Sequence, residues 1–210
     1  MSKIHIEQAL TCFKEVDPIM HRLLNDALNA SNPMALPTPK KPAQYFESIV
    51  SSIIGQQISI KAADAVRGRV VHKLGGTITP ERVNVVDFEE LKACGLSNQK
   101  TKYIKHNAFS WHEIPVGNFV HMTDEAIITE LTKLYGIGRW TAEMFLMFSM
   151  ARPNVFSYGD LGLMQGLYQS YNYKPHYVRK IRTTVDSWSP HKTAAALALW
   201  YVKDNGPVLL

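Results

Sequence analysis

Two glycines two residues apart, Gly136 and Gly138, sit between amphipathic stretches and constrain this chain more than any other feature. Upstream, Ile127, Ile128, Leu131 and Leu134 recur at helical spacing behind Thr123, a good N-cap. Downstream, Ala142, Phe145, Leu146 and Ser149 repeat the spacing. The pattern predicts a helix, the hairpin Tyr135-Gly136-Ile137-Gly138-Arg139, a second helix and a loop ending in Asp160. Glycine lets the backbone turn tightly and leaves amide N–H groups uncovered at a helix start, a site the size of a phosphate. Taken alone, Gly-x-Gly also fits a plain turn between helices.

The remaining chain reads as helical. Residues 1 to about 30 place Leu10, Phe13, Ile19, Leu23, Leu24 and Leu28 at helical spacing, with Asp17-Pro18 opening a second helix. Ser31 to Pro42, with four prolines, is a loop or strap. From Tyr45 to Leu74 two helices flank Gly55-Gln56-Gln57-Ile58-Ser59, and Gly75-Gly76 supply a left-handed cap. Asp87 to Leu96 and Asn98 to Trp111 read as helices, the latter carrying Lys100, Lys102, Lys105 and His106. Tyr177 to Asn205 predicts two more.

At 210 residues and 46% hydrophobic content, the chain suits one large domain or two subdomains sharing a cleft. Its formal net charge of +5 fits a polyanionic partner, although charge alone discriminates weakly. Cys12 and Cys94 stand far apart with no Cys-x-x-Cys pair, which leaves disulfide frameworks, zinc fingers and four-cysteine clusters without ligands. The eight histidines show no ligand spacing, so neither a catalytic metal nor a cofactor is expected. There is no apolar h-region at Met1–Glu7 and no run of eighteen apolar residues, so a soluble intracellular protein without a membrane segment is expected.

The string Leu134-Tyr135-Gly136-Ile137-Gly138-Arg139-Trp140-Thr141-Ala142, followed eighteen residues later by Asp160, resembles the helix-hairpin-helix DNA glycosylase superfamily. Within it, the chain is similar to the alkylpurine branch, of the 3-methyladenine DNA glycosylase II type. Ser51 to Ser59, Leu91 to Lys100, Asn154 to Leu163 and Trp188 to Ala195 are also close to that branch, so the likeness runs from about Asp17 to Tyr201. It implies an all-α fold of two helical subdomains flanking a cleft. The expected division is a discontinuous lobe of about 1–50 and 165–210 and a central lobe of about 51–164. Longer relatives carry a β-rich N-terminal domain, and none is expected within these 210 residues.

The resemblance also implies a function and a site. The expected function is a monofunctional glycosylase that flips alkylated purines out of double-stranded DNA, acting as a monomer in a nucleoid or a nucleus. A damage-binding protein of the same fold without turnover is the alternative. Asp160 matches the catalytic Asp, and the same residue also fits a simple helix cap, which is compatible with catalysis. Gln57 matches the side chain that fills the gap left by an extruded nucleotide, though a polar turn residue also serves as a solvated tip. Gln56 has a structural alternative, bonding backbone. Gly136, Gly138, Arg139, Thr141 and Lys100 are DNA-contact residues on this reading, with Lys100 equally able to be part of a solvated face. In the superfamily the hairpin often binds a monovalent cation, which here would lie at the backbone of Tyr135 and Ile137.

Trp200 matches a tryptophan of the base pocket, with Tyr158, Trp140 and Tyr45 as further members; Trp140 and Tyr45 read equally well as core. An electron-poor alkylated base stacks on aromatic faces for about 0.5–2 kcal/mol per contact. Trp140 occupies the position where strand-cutting relatives carry a nucleophilic lysine, and indole cannot form a Schiff base. No lyase step is therefore expected.

Overall fold

The computed structural model describes residues 4–205, and the Met1–Lys3 part of the N-terminal reading lies outside them. Every regular element among them is helical. The chain divides into two compact units, one formed up to Pro39 and from Leu146 onward, the other from Lys40 to Phe145.

In the first unit, α1 (Ile6–Val16) and α2 (Pro18–Asn29) pack together. Asp17 caps α2 by accepting from the Met20 amide at 3.0 Å, and Pro18 takes the first helical position, where a missing N–H is harmless. Phe13, Leu23 and Leu24 are buried as their spacing predicts, but Ile19 is 39% exposed. Met20 takes the inward place instead, because the Pro18 start sets the helix phase so that 20, 23, 24 and 27 face inward.

The second unit is built on α3 (Tyr45–Gly55), whose Phe46, Ile49, Val50, Ile53 and Ile54 are all buried. Around it lie α4 (Ile60–Lys73), α5 (Pro80–Val85), α6 (Phe88–Lys92), α7 (Asn98–Ser110) and α8 (Asp124–Leu131). Ser59, Thr79, Ser97 and Thr123 cap α4, α5, α7 and α8 through their side-chain oxygens. The short α5 and the 3-10 turn Val116–His121 escaped the periodicity reading, being too brief to display a face. Tyr45 is 1% exposed, stacked on Phe119 at 6.1 Å and edge-on to Phe145 at 5.0 Å. It is part of this unit's core.

α9 (Arg139–Phe148) starts at the hairpin, and the unit boundary falls within it. The first unit then continues through α10 (Leu161–Tyr171), α11 (Val178–Ser187) and α12 (Lys192–Asn205). α12 buries Thr193 to Leu199 almost continuously, and its alanines let α10 and α2 pack closely on it. Where α10 meets α12, a Cβ on Gly166 would lie 2.4 Å from the Leu199 carbonyl oxygen, so no larger residue fits.

Candidate functional site: a braced hairpin and a held carboxylate

In the second unit, Gly136 adopts φ +77°, open to glycine at no steric cost, and a Cβ there would also strike the Tyr103 ring. The hairpin is clamped from behind by residues its own sequence does not reveal. Asn107, fully buried on α7, accepts from the Tyr135 amide at 2.8 Å and donates to the Tyr135 carbonyl at 2.9 Å. His106 stacks flat on the Tyr135 ring, with centroids 3.7 Å apart. From the end of α3, Gln56 Nε2 donates to the Gly136 carbonyl at 2.8 Å, a backbone bond made within this unit. Gly138 accepts the first helical bond of α9, from Ala142, at 3.0 Å. A rigid turn is therefore delivered at a helix start, the arrangement that suits an oxyanion.

The lysines of α7 do something else. Lys100 Nζ donates to the carbonyls of Ile54 (2.8 Å) and Gln56 (2.6 Å), closing the end of α3. Lys105 Nζ does the same for the carbonyls of Val83, Asn84 and Val86 at the end of α5. Cations at helix C-termini satisfy orphan carbonyls and oppose the dipole. Burial holds the Lys100 ammonium below its ordinary value. This lysine braces the turn that presents Gln57, which is exposed and left-handed at φ 59°, a conformation costing about 1–2 kcal/mol for a non-glycine residue.

Gln57, Gln56, Trp140 and Thr141 line one cavity of about 460 Å³, completed by Ser52, Gly55 and Met144. Trp140 is 47% exposed there, whereas Thr141 is buried. Arg139 forms a fork on Glu125 and a 2.9 Å bond to Glu143, so its charge is already answered within the protein. Of the two carbonyls that would face a monovalent cation, that of Tyr135 also accepts from Asn107. An all-oxygen backbone donor set fits a hard cation. No group of three or more His, Cys, Asp or Glu able to hold a metal ion occurs among the described residues.

In the first unit, Asp160 caps α10, its Oδ1 accepting from the Leu163 amide at 2.7 Å and from Trp200 Nε1 at 3.0 Å. It is 9% exposed. Trp200 thus orients the carboxylate as well as presenting a ring, which leans on Phe148 at 5.7 Å. The loop before Asp160 is pinned by Thr193: its Oγ1 donates to the Arg152 carbonyl (2.6 Å) and accepts from the Val155 amide (3.0 Å). Tyr158 is 40% exposed, with the Arg182 guanidinium 5.4 Å from its ring centre. Burial is the main cause raising its phenol. Farther back, Asp17 Oδ2 accepts from Tyr171 OH and Trp188 Nε1, both at 2.7 Å, a buried network that fixes α2 to the C-terminal helices of this unit.

Sequence spacing missed Asn107, Thr193 and the Asp17 network, since a buried amide or hydroxyl leaves no periodic trace. A polar residue at a helical position of an inward face, as at Asn107, is the signal that was available.

Comparison with known proteins shows the family. Residues 50–191 match the family described as HhH-GPD superfamily base excision DNA repair protein. DNA-3-methyladenine glycosylase 1 of Schizosaccharomyces pombe is 33% identical over 170 residues, 74% of this chain and 71% of that protein. The crystal structure of a DNA-3-methyladenine glycosidase from Bacillus halodurans superposes with a TM-score of 0.79 at 34% identity, covering 92% of this chain and 87% of that one. The S. pombe 3-methyladenine DNA glycosylase in complex with abasic DNA gives 0.75 at 28% identity, covering 94% and 97%.

Proposed function

This chain belongs to the HhH-GPD superfamily of base excision DNA repair proteins, in its alkylpurine branch, and we propose that it is a monofunctional DNA glycosylase. As a monomer it extrudes an alkylated purine of the 3-methyladenine and 7-methylguanine class from double-stranded DNA. It then hydrolyses the bond between base and sugar. The observation that carries the proposal is the carboxylate of Asp160, held by the Leu163 amide and Trp200 Nε1 at the start of α10.

Each part has a physical task. The amides around Gly136 and Gly138 take a DNA phosphate, and Thr141 lies in the following turn. The carbonyls of Tyr135 and Ile137 would hold a monovalent cation, which supplies positive charge toward that phosphate. Arg139, paired with Glu125 and Glu143, holds the start of α9 in place behind those amides. Gln57, braced by Lys100, enters the stack when the nucleotide leaves, and its amide can bond the orphaned base. Extrusion costs a few kcal/mol, least at damaged pairs.

Trp200, with Tyr158 as a further aromatic face of the same unit, receives the electron-poor base; Tyr45, spent on the core of its unit, is not part of this set. Cleavage takes the electron pair of the C1′–N bond onto the base, which leaves neutral because it began cationic. Positive charge develops on the sugar, and the Asp160 carboxylate stabilises it. At about 4 Å and an effective dielectric near 20, that is worth roughly 4 kcal/mol, or about a thousandfold in rate. Water then adds to C1′, and its proton goes to solvent or to Asp160.

The test is release of free bases from randomly methylated duplex. Wild type should release methylated purines and leave an intact strand carrying abasic sites, with no borohydride-trapped adduct. Asp160→Asn keeps an oxygen for both hydrogen bonds, so it should still bind abasic DNA while losing about a thousandfold in release. Undiminished release would remove Asp160 from the chemistry. Binding without any release by wild type would mark a damage-binding protein.

A further inference from the structure

Several cations of this protein pair with an acid: Lys73 with Glu90, Lys92 with Glu89, Lys133 with Glu130, Lys192 with Asp186 and Lys203 with Asp204. One exposed stretch gathers cations with no such pair. From Tyr173 to Val185 there is no Asp or Glu, yet Lys174, Arg179, Lys180 and Arg182 are present together with His176. These four cations nearly equal the chain's whole formal excess of +5. All four are exposed, and none forms an ion pair among the described residues.

The helix sets their arrangement. Ile181 and Val185 of α11 are buried, at 3% and 0% exposure, and at 100° per residue this directs Arg179, Lys180 and Arg182 onto the outward arc. Aromatic rings lie between the charges. Lys180 Nζ stands 4.8 Å from the centre of the Tyr173 ring, and His176 meets Tyr177 edge-on at 4.7 Å. Arg182, over the Tyr158 ring, joins this strip to the loop that ends at Asp160. The one acid of α11, Asp186, is taken by Lys192 at 2.6 Å, so the gathered cations repel one another and disfavour the folded state. A polyanion relieves that repulsion. Arg179, Lys180 and Arg182 fall within one turn of α11 and Lys174 lies four residues before the helix, a cluster that can meet a few neighbouring phosphates of a duplex strand.

We propose that the outward face of α11, with Lys174 and His176, is a second DNA-binding surface that grips the phosphate backbone of the duplex beside the Asp160 loop. It carries no base readout, because the heads are point charges and guanidinium forks on an exposed convex helix, suited to phosphates. It rests on the proposed function only in taking duplex DNA as the partner. The measured quantity is affinity for undamaged duplex, so a chain that binds through α11 yet releases no base would refute the glycosylase reading alone.

The experiment compares wild type with Lys174→Gln/Arg179→Gln/Lys180→Gln, measuring affinity for undamaged duplex across a salt series. Arg182 is left intact because it touches Tyr158. Removing three phosphate contacts should flatten the plot of log affinity against log salt by about 2.7. The wild-type advantage should then shrink about 40-fold between 50 and 200 mM salt. A charge-preserving variant, Lys174→Arg/Arg179→Lys/Lys180→Arg, should keep the wild-type slope, which excludes a disturbed fold. Single-turnover base release at saturating enzyme should be unchanged in both variants. A wild-type slope in the glutamine variant, or an equal loss in the charge-preserving one, would show the strip to be a solvated face and overturn the proposal.

Discussion

Asn107→Ala tests whether the hairpin is held from behind or holds itself. The native amide makes two neutral hydrogen bonds to the backbone of one residue, at 2.8 Å to the Tyr135 amide and 2.9 Å to its carbonyl, and Asn107 is fully buried. Alanine removes both partners at once. Each buried group left unsatisfied costs about 1–3 kcal/mol, so the hairpin either keeps its place at a combined cost of about 2–6 kcal/mol or shifts toward water. In a chain of this size that loss lowers the unfolding midpoint by roughly 5–25 °C.

The second consequence is functional. A hairpin whose amides are no longer fixed must be ordered on binding, so affinity for an abasic-site duplex should fall roughly tenfold or more, each 1.4 kcal/mol of ordering cost being a factor of ten. Thermal unfolding and fluorescence anisotropy with labelled duplex measure the two effects. Asn107→Asp should be no better than alanine, because one of its oxygens would face the Tyr135 carbonyl. Unchanged midpoint and unchanged affinity in both variants would refute the reasoning, since the hairpin would then hold its shape without the α7 clamp.

Other perturbations follow from the same contacts. Trp200→Phe keeps a ring against Phe148 but removes the donor to Asp160, so single-turnover base release should drop roughly ten- to hundredfold; an unchanged rate would mean that the Leu163 amide alone orients the acid. Gly166→Ala forces a Cβ to 2.4 Å from the Leu199 carbonyl and should destabilise the chain by about 1–3 kcal/mol through overpacking, which an unaltered denaturation curve would contradict. Burial, with His5 nearby, holds His191 below its ordinary value. The unfolded chain then takes that proton more readily, so this stabilisation is complete above about pH 6.5 and is lost as acid is added. The unfolding midpoint should fall less steeply below pH 6.5 in His191→Gln than in wild type, and parallel curves would assign the acid sensitivity elsewhere.

Much of the architecture could be read along the chain, because its causes are local. Thr123, Ser59, Ser97 and Asp17 cap helices through oxygens that reach only three residues onward. The Gly136 turn needs a backbone angle that one residue supplies, and the broad apolar face of α3 repeats within a few turns. Ile19 shows the limit of that reading, since a one-position choice between it and Met20 depends on where Pro18 sets the helix phase.

The sequence by itself therefore determined the helices, their caps, the hairpin and the carboxylate that follows it, for periodicity and backbone preference act over a handful of residues. Only the tertiary structure decided what the polar side chains are for. Gln56 finds its partner 80 positions away, Lys100 reaches back 46 to Ile54, and Asn107 bonds Tyr135 across 28. A buried donor binds whichever carbonyl the packed helices bring within about 3 Å. That proximity is a property of the assembled core, which no local spacing encodes.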